Sequence, residues 1–125
     1  MRILIVDDNE RARTALKFLL GVRKDCEICG EASGGKQGIL KAIQLNPDVI
    51  ILDYSMPDVD GLHAAAEIHK ALPIALIILC TLFYSVALEQ EAMQYGVNRV
   101  IAKTDMSRSL LDTLDNISIE KNRVS

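Results

Sequence analysis

A chain of 125 residues with a formal charge of −3 has room for one domain around one core. Half its residues are hydrophobic and a quarter charged, as in ordinary globular proteins. No apolar run is long enough to span a bilayer, and no broad basic footprint for nucleic acid is present. The opening Met1-Arg2 leads straight into a strand without a secretory pattern, so the cytoplasm is the expected compartment. Arg11, Arg13, Lys17, Arg23 and Lys24 read as a solvated helix face. Three cysteines, an odd number, argue against a disulfide framework. Cys26 and Cys29 have CxxC spacing, but on a strand positions i and i+3 point to opposite faces. No second Cys/His pair completes a zinc set, and Cys80 reads as a small core residue.

In chain order, residues 2–6 form a short β-branched strand. Asp7-Asp8-Asn9 ends it and offers N-caps to a helix with Ala12, Ala15, Leu16, Leu19 and Leu20 on one stripe. Gly21 stops that helix, and residues 27–32 make a weaker, edge-type strand. After Gly34-Gly35 the spacing predicts a helix over 36–45 with Ile39, Ala42 and Ile43 inward, closed by Asn46-Pro47. Residues 48–53 read as a buried strand ending in Asp53, and Pro57 and Gly61 force a turn. A helix over 62–72 presents Leu62, Ala65, Ile68 and Leu72, with Pro73 beyond it. Residues 74–80 are apolar on both faces, as central parallel strands are, with Thr81 at the end. A helix over 84–95 precedes Gly96, and a strand over 99–102 ends in Lys103. Asp105 caps a last helix over 106–117 that buries Met106, Leu110, Leu111, Leu114 and Ile117; residues 118–125 are polar and expected to fray.

Strict alternation of strand and helix implies right-handed βαβ units and a parallel sheet covered on both faces. Five such units make a doubly wound (βα)5 flavodoxin-like α/β sandwich with expected strand order 2-1-3-4-5. One domain over 1–120 is expected, with 121–125 a frayed tail or the start of a linker.

That order brings five strand-end residues to one edge: Asp7, Asp8, Asp53, Thr81 and Lys103. Crowded carboxylates repel one another, and their pKa values rise unless a cation sits among them. Mg²⁺, a hard cation that takes oxygen ligands and keeps waters, suits such a cluster. Lys103 and Thr81 then face it with a positive charge and a hydroxyl, which together cradle a phosphoryl group. Asp53 lies between them as the candidate nucleophile, forming an aspartyl phosphate. Taken singly, Asp7 or Asp8 is an ordinary helix cap, Lys103 a surface lysine and Thr81 a strand-end hydroxyl. Their joint placement carries the reading.

With these motifs the chain resembles the receiver domains of two-component response regulators over nearly its whole length. The resemblance rests on Ile3-Leu4-Ile5-Val6-Asp7-Asp8, the Asp-x-x-Met-Pro-x-x-x-Gly run from Asp53 to Gly61, Thr81 and Lys103. It implies a CheY-like fold and phosphorylation of Asp53 by a histidine kinase or a small acyl phosphate. It implies that Asp8, Asp53 and the backbone carbonyl of Ser55 hold Mg²⁺, with Asp7 acting through water, while Thr81 and Lys103 contact phosphoryl oxygens. Phosphorylation is then expected to draw Thr81 inward and remodel the face of helix four, strand five and helix five. Partners implied are the cognate kinase, an output domain or effector, and in some members a second copy. No membrane and no direct nucleic-acid contact are expected.

Three positions depart from the family pattern. The aromatic expected three residues before the strand-five lysine is Val100, with Tyr84 a candidate for part of its role. The small residue expected after Thr81 is Leu82, whose bulk is expected to shield the site. Thr104 replaces the common proline, and the resulting Lys-x-Asp leans toward NarL/FixJ-type receivers, whose output is DNA-binding transcription control. Two rival readings differ in class. A phosphatase of the haloacid-dehalogenase kind wants an acid two residues past the nucleophile, where Ser55 stands. A degenerate receiver used only as a binding module has no need of the complete site set. A nucleotide-binding reading lacks its Gly-x-Gly-x-x-Gly turn. His63 and His69 lie about 240° apart around one helix and face no common site.

Overall fold

The computed structural model describes the backbone of residues 1–124 and the side chains of residues 1–117. Strands and helices alternate throughout: β1 (Arg2–Val6), α1 (Glu10–Leu20), β2 (Glu27–Ala32), α2 (Gly35–Leu45), β3 (Val49–Asp53), α3 (Gly61–Ala71), β4 (Leu76–Thr81), α4 (Val86–Met93), β5 (Arg99–Ala102) and α5 (Met106–Val124). All strand pairs are parallel and the sheet order is β2-β1-β3-β4-β5, as alternation predicts. The period-two geometry of strands divides the core. Leu4, Val6, Ile50, Leu52, Ile77 and Leu79 face one way, onto Ala42, Ala65, Ile68 and Ala92 of α2, α3 and α4. Ile3, Ile5, Val49, Ile51, Ile78 and Ile101 face the other, onto Leu16 and Leu20 of α1 and Leu110 and Leu114 of α5.

Local polar chemistry sets the helix starts. The Asn9 side chain accepts from the Ala12 amide at 3.1 Å, Asp60 from His63 at 2.9 Å, and Ser85 from Leu88 at 3.0 Å. The N-terminus of α2, preceded only by glycine, borrows its cap. Asp58, on the loop after β3, accepts from the Gly35 and Lys36 amides, each at 3.0 Å. Asn46 ends α2 in the left-handed region (φ 49°) just before Pro47.

Several expected boundaries and faces are corrected. β3 begins at Val49, because the Asp48 carboxylate turns back to accept from the Arg2 amide at 2.7 Å. β4 begins at Leu76, not residue 74: Ile74 is 93% exposed on a turn closed by Ala75 N–H to Leu72 O. α4 begins at Val86, because Ser85 caps it, and ends at Met93. α5 continues past Ile117 to Val124, over residues containing no Pro or Gly to stop it. Asp105, the expected cap of α5, instead closes a 3-10 turn (Lys103–Asp105) and accepts from the Ser109 hydroxyl at 2.8 Å. Ser125 lies outside the described residues.

Ala15 and Ile43, assigned inward, are exposed. α2 buries Ala42 as expected, with Gly35 and Gly38 beside it, while Ile39 is half-buried. A Cβ on Gly38 would stand 2.7 Å from Val6 Cγ1, so the small residue permits the helix its close approach to β1.

Candidate functional site

Four connections at the carboxyl edge of the sheet, those after β1, β3, β4 and β5, supply the side chains around one open cavity of about 580 Å³. Asp7, Asp8, Asp53, Ser55, Thr81 and Lys103 all line it, beside Asn9, Tyr54, Leu82, Phe83 and Leu88. Asp7 is buried and held on three sides. Its amide donates to Ala32 O of β2 at 3.0 Å. Its Oδ1 accepts from the Asn9 amide at 2.9 Å and its Oδ2 from Lys103 Nζ at 3.2 Å. Asp8, next in sequence, is exposed at the rim. Asp53 is 5% exposed, with Lys103 Nζ 2.9 Å from its Oδ1. The Tyr54 amide donates to Cys80 O at 2.9 Å, which ties the end of β3 to β4. Thr81 Oγ1 accepts from the Phe83 amide at 3.1 Å, leaving the hydroxyl hydrogen available to an incoming acceptor.

Oxygens of Asp7, Asp8 and Asp53 lie within 4.8 Å of one another, facing a single ammonium. Burial raises the Asp53 pKa, the Lys103 hydrogen bond opposes it, and the charge of Asp7 adds to the rise. Burial works against the Lys103 ammonium, but the hydrogen bond and charge of Asp53, then those of Asp7, outweigh it and raise its pKa. An anionic cleft with one fixed cation has the chemistry to accept a divalent metal on its acidic side and an anion on its basic side.

A family model, the response regulator receiver domain, matches residues 3–115. The chain belongs to this family. The receiver domain is 34% identical over 114 residues to the response regulator protein VraR of Staphylococcus aureus, covering 91% of this chain and 54% of VraR. It thus spans about half the length of the curated relatives it matches. The response regulator domain of Thermotoga maritima CheB superposes with a TM-score of 0.85 at 29% identity, covering 93% of this chain and 94% of that one. The signal receiver domain of the response regulator NarL from Mycobacterium tuberculosis gives 0.78 at 26%, over 90% and 94%. NarL among these relatives agrees with the leaning of the Lys-x-Asp sequence toward that type.

The departures from the receiver pattern have definite places. Val100 is buried on the α2, α3 and α4 side of the sheet. Its outer neighbours Tyr84, Glu89, Arg99 and Asp112 share a surface groove between α4 and α5. Leu82 lines the acidic cavity yet is 63% exposed, an apolar side chain at its mouth. Cys26 and Cys29 pack against opposite faces of the sheet and form no pair. Burial pushes the Cys80 thiol up to about 12. His63 and His69 are both exposed, His63 engaging Asp60 and the edge of Tyr95. Among the described residues, no helix is long and apolar enough to cross a membrane.

Two of the five basic residues assigned to a solvated face do not belong there. The side chains of Arg13 and Arg23 are only 16% and 15% exposed, held in ion pairs with Glu31 and with Asp25 and Asp115. The roles of Arg13 and Asp58 escaped the sequence reading because each bonds backbone groups, which leave no mark on residue type or spacing. The uncapped glycine start of α2 was the one signal that a cap had to come from elsewhere.

Proposed function

We propose that this receiver domain accepts a phosphoryl group on Asp53 from a histidine kinase or a small acyl phosphate. The observation that carries the reading is the Lys103 ammonium 2.9 Å from Asp53 Oδ1, inside a set of three carboxylates. The donor set suits Mg²⁺: hard oxygens only, within 4.8 Å of each other, with one ammonium to offset three carboxylates. Asp8, Asp53 and the Ser55 carbonyl would hold the ion, with Asp7 acting through water. When bound, Mg²⁺ offsets the negative charge of the phosphoryl oxygens.

An Asp53 carboxylate oxygen attacks phosphorus in line as the bond to the kinase imidazole or to acetate breaks. The product is a mixed anhydride, and the imidazole or acetate leaves. The Lys103 ammonium and the Thr81 hydroxyl engage separate phosphoryl oxygens, and both must turn from their present partners to do so. Attack by water regenerates the carboxylate and releases inorganic phosphate.

Thr81 ends β4 immediately before the loop to α4, so its turn carries the state of Asp53 to the α4, β5 and α5 face. With Val100 in the usual aromatic place, we assign Tyr84 part of that switching role. We take residues 1–120 as the receiver unit, with 121–125 a tail or the start of a linker, and place it upstream of transcription control as for NarL/FixJ-type receivers.

The test is an amide NMR titration of the chain with beryllofluoride, a phosphoryl stand-in, and Mg²⁺. Shifts centred on Asp53, Thr81 and Lys103 that need both ions support the reading. Unchanged spectra, with no labelling by acetyl phosphate, would establish a binding module that works without phosphorylation.

A further inference from the structure

We infer that Arg13, backed by Glu31, is a positioning residue for the acidic pair, and that this device belongs to the phosphoacceptor reading and rests on it. Arg13 reaches from the first turn of α1 to the end of β1, where its Nη1 donates to the backbone carbonyl of Asp7 at 2.7 Å. That carbonyl belongs to the peptide joining Asp7 to Asp8. With the following peptide held by the Asn9 amide on Asp7 Oδ1, fixing the plane of the peptide between Asp7 and Asp8 restricts the direction in which the exposed Asp8 side chain leaves the backbone. Asp7 has its own anchors in Ala32 O, the Asn9 amide and Lys103. Among the described residues, no hydrogen bond or ion pair holds the Asp8 side chain, so its aim depends on the peptide behind it.

The guanidinium is itself held. Its Nε donates to Glu31 Oε1 at 3.1 Å, and Lys17 donates to the other oxygen of the same carboxylate at 2.9 Å. The Lys41 ammonium bonds the Glu31 carbonyl, tying this point of β2 to α2. A fork with two donor directions is needed to span Glu31 and the Asp7 carbonyl at once, which suits arginine and not lysine. Glu31 also neutralises a cation that would otherwise stand behind a metal-binding cluster and weaken it.

A positioning role for Arg13 has an effect opposite in sign to that of its charge alone. Removing a positive charge near three carboxylates strengthens cation binding if nothing else changes. Removing a support of the ligand geometry weakens it, by about tenfold for an outer-shell partner.

The experiment is Mg²⁺ titration of the full chain, followed by NMR, for the parent, Arg13→Met, Arg13→Lys and Glu31→Gln, each with its thermal unfolding midpoint. The expected result is about tenfold weaker Mg²⁺ binding in Arg13→Met, with partial recovery in Arg13→Lys and a smaller loss in Glu31→Gln. Labelling of Asp53 by acetyl phosphate should return to the parent rate at saturating Mg²⁺, since Asp53, Thr81 and Lys103 are intact. Equal or tighter Mg²⁺ binding in a folded Arg13→Met overturns the assignment, whatever its unfolding midpoint. If Arg13→Met does not fold, parent-like affinity in both Arg13→Lys and Glu31→Gln overturns it. A parent that takes up no Mg²⁺ overturns the phosphoacceptor reading together with this one.

Discussion

At Asp53 two environments compete: burial and the charge of Asp7 favour the protonated acid, while Lys103 favours the carboxylate, and the first pair wins. A carboxyl whose folded pKa lies above its usual 3.8 stabilises the fold when protonated. That contribution is complete below 3.8 and lost as pH rises through the folded value, so at neutral pH Asp53 is a cost to the fold. Asp53→Asn, nearly isosteric and neutral, should therefore unfold a few degrees higher than the parent at pH 7 without Mg²⁺, with the difference narrowing as pH falls through the folded value and closed below 3.8. Scanning calorimetry at the two pH values checks this, and a lower midpoint at pH 7 contradicts it. Asp7, Asp8, Asp53, Thr81 and Lys103 were legible because each falls at the end of an apolar strand, where parallel sheets gather their chemistry, whereas Ser55 was named only through the family resemblance. Arg13 was not legible, because hydrogen bonding to a carbonyl six residues back leaves no pattern in composition.

Between elements, the loop after β3 and the start of α2 share one carboxylate. The amides of Lys36 and Gly35 draw the Asp58 pKa down to about 2, so its contribution to stability is full above 3.8 and lost as pH falls toward 2. Asp58→Asn should therefore lose stability at pH 7 and show a flatter acid limb between about pH 4 and 2, in urea titrations across that range. An acid limb as steep as the parent's contradicts the cap. Element types and order were readable from periodicity, but only part of the buried face of α2 was: Ala42 is inward as expected, Ile43 is not. Ile43 has the hydrophobicity of a core residue, yet Gly38 takes the inner face because a side chain there would collide with Val6. Ile74 misled in the same way: an apolar residue beside a strand is not in it when its neighbour closes a turn.

Across the whole molecule, the order β2-β1-β3-β4-β5 makes the site. β1 and β3 are neighbours, so Asp7 and Asp53 share one edge although 46 residues separate them, and Lys103 of the far strand's turn reaches both. Topology was legible because right-handed crossovers leave few ways to wind five such units. The side-chain contacts that prepare Thr81 and Asp8 were not, because they depend on loop geometry rather than pattern. The same topology carries the central claim, that this chain stores a phosphoryl group on Asp53. Intact mass after incubation with acetyl phosphate and Mg²⁺, for the parent beside Asp53→Asn, tests it most directly. A gain of one phosphoryl group in the parent, lost with chelation of the metal and lacking in Asp53→Asn, is the expected result. An equal gain in Asp53→Asn would contradict the account.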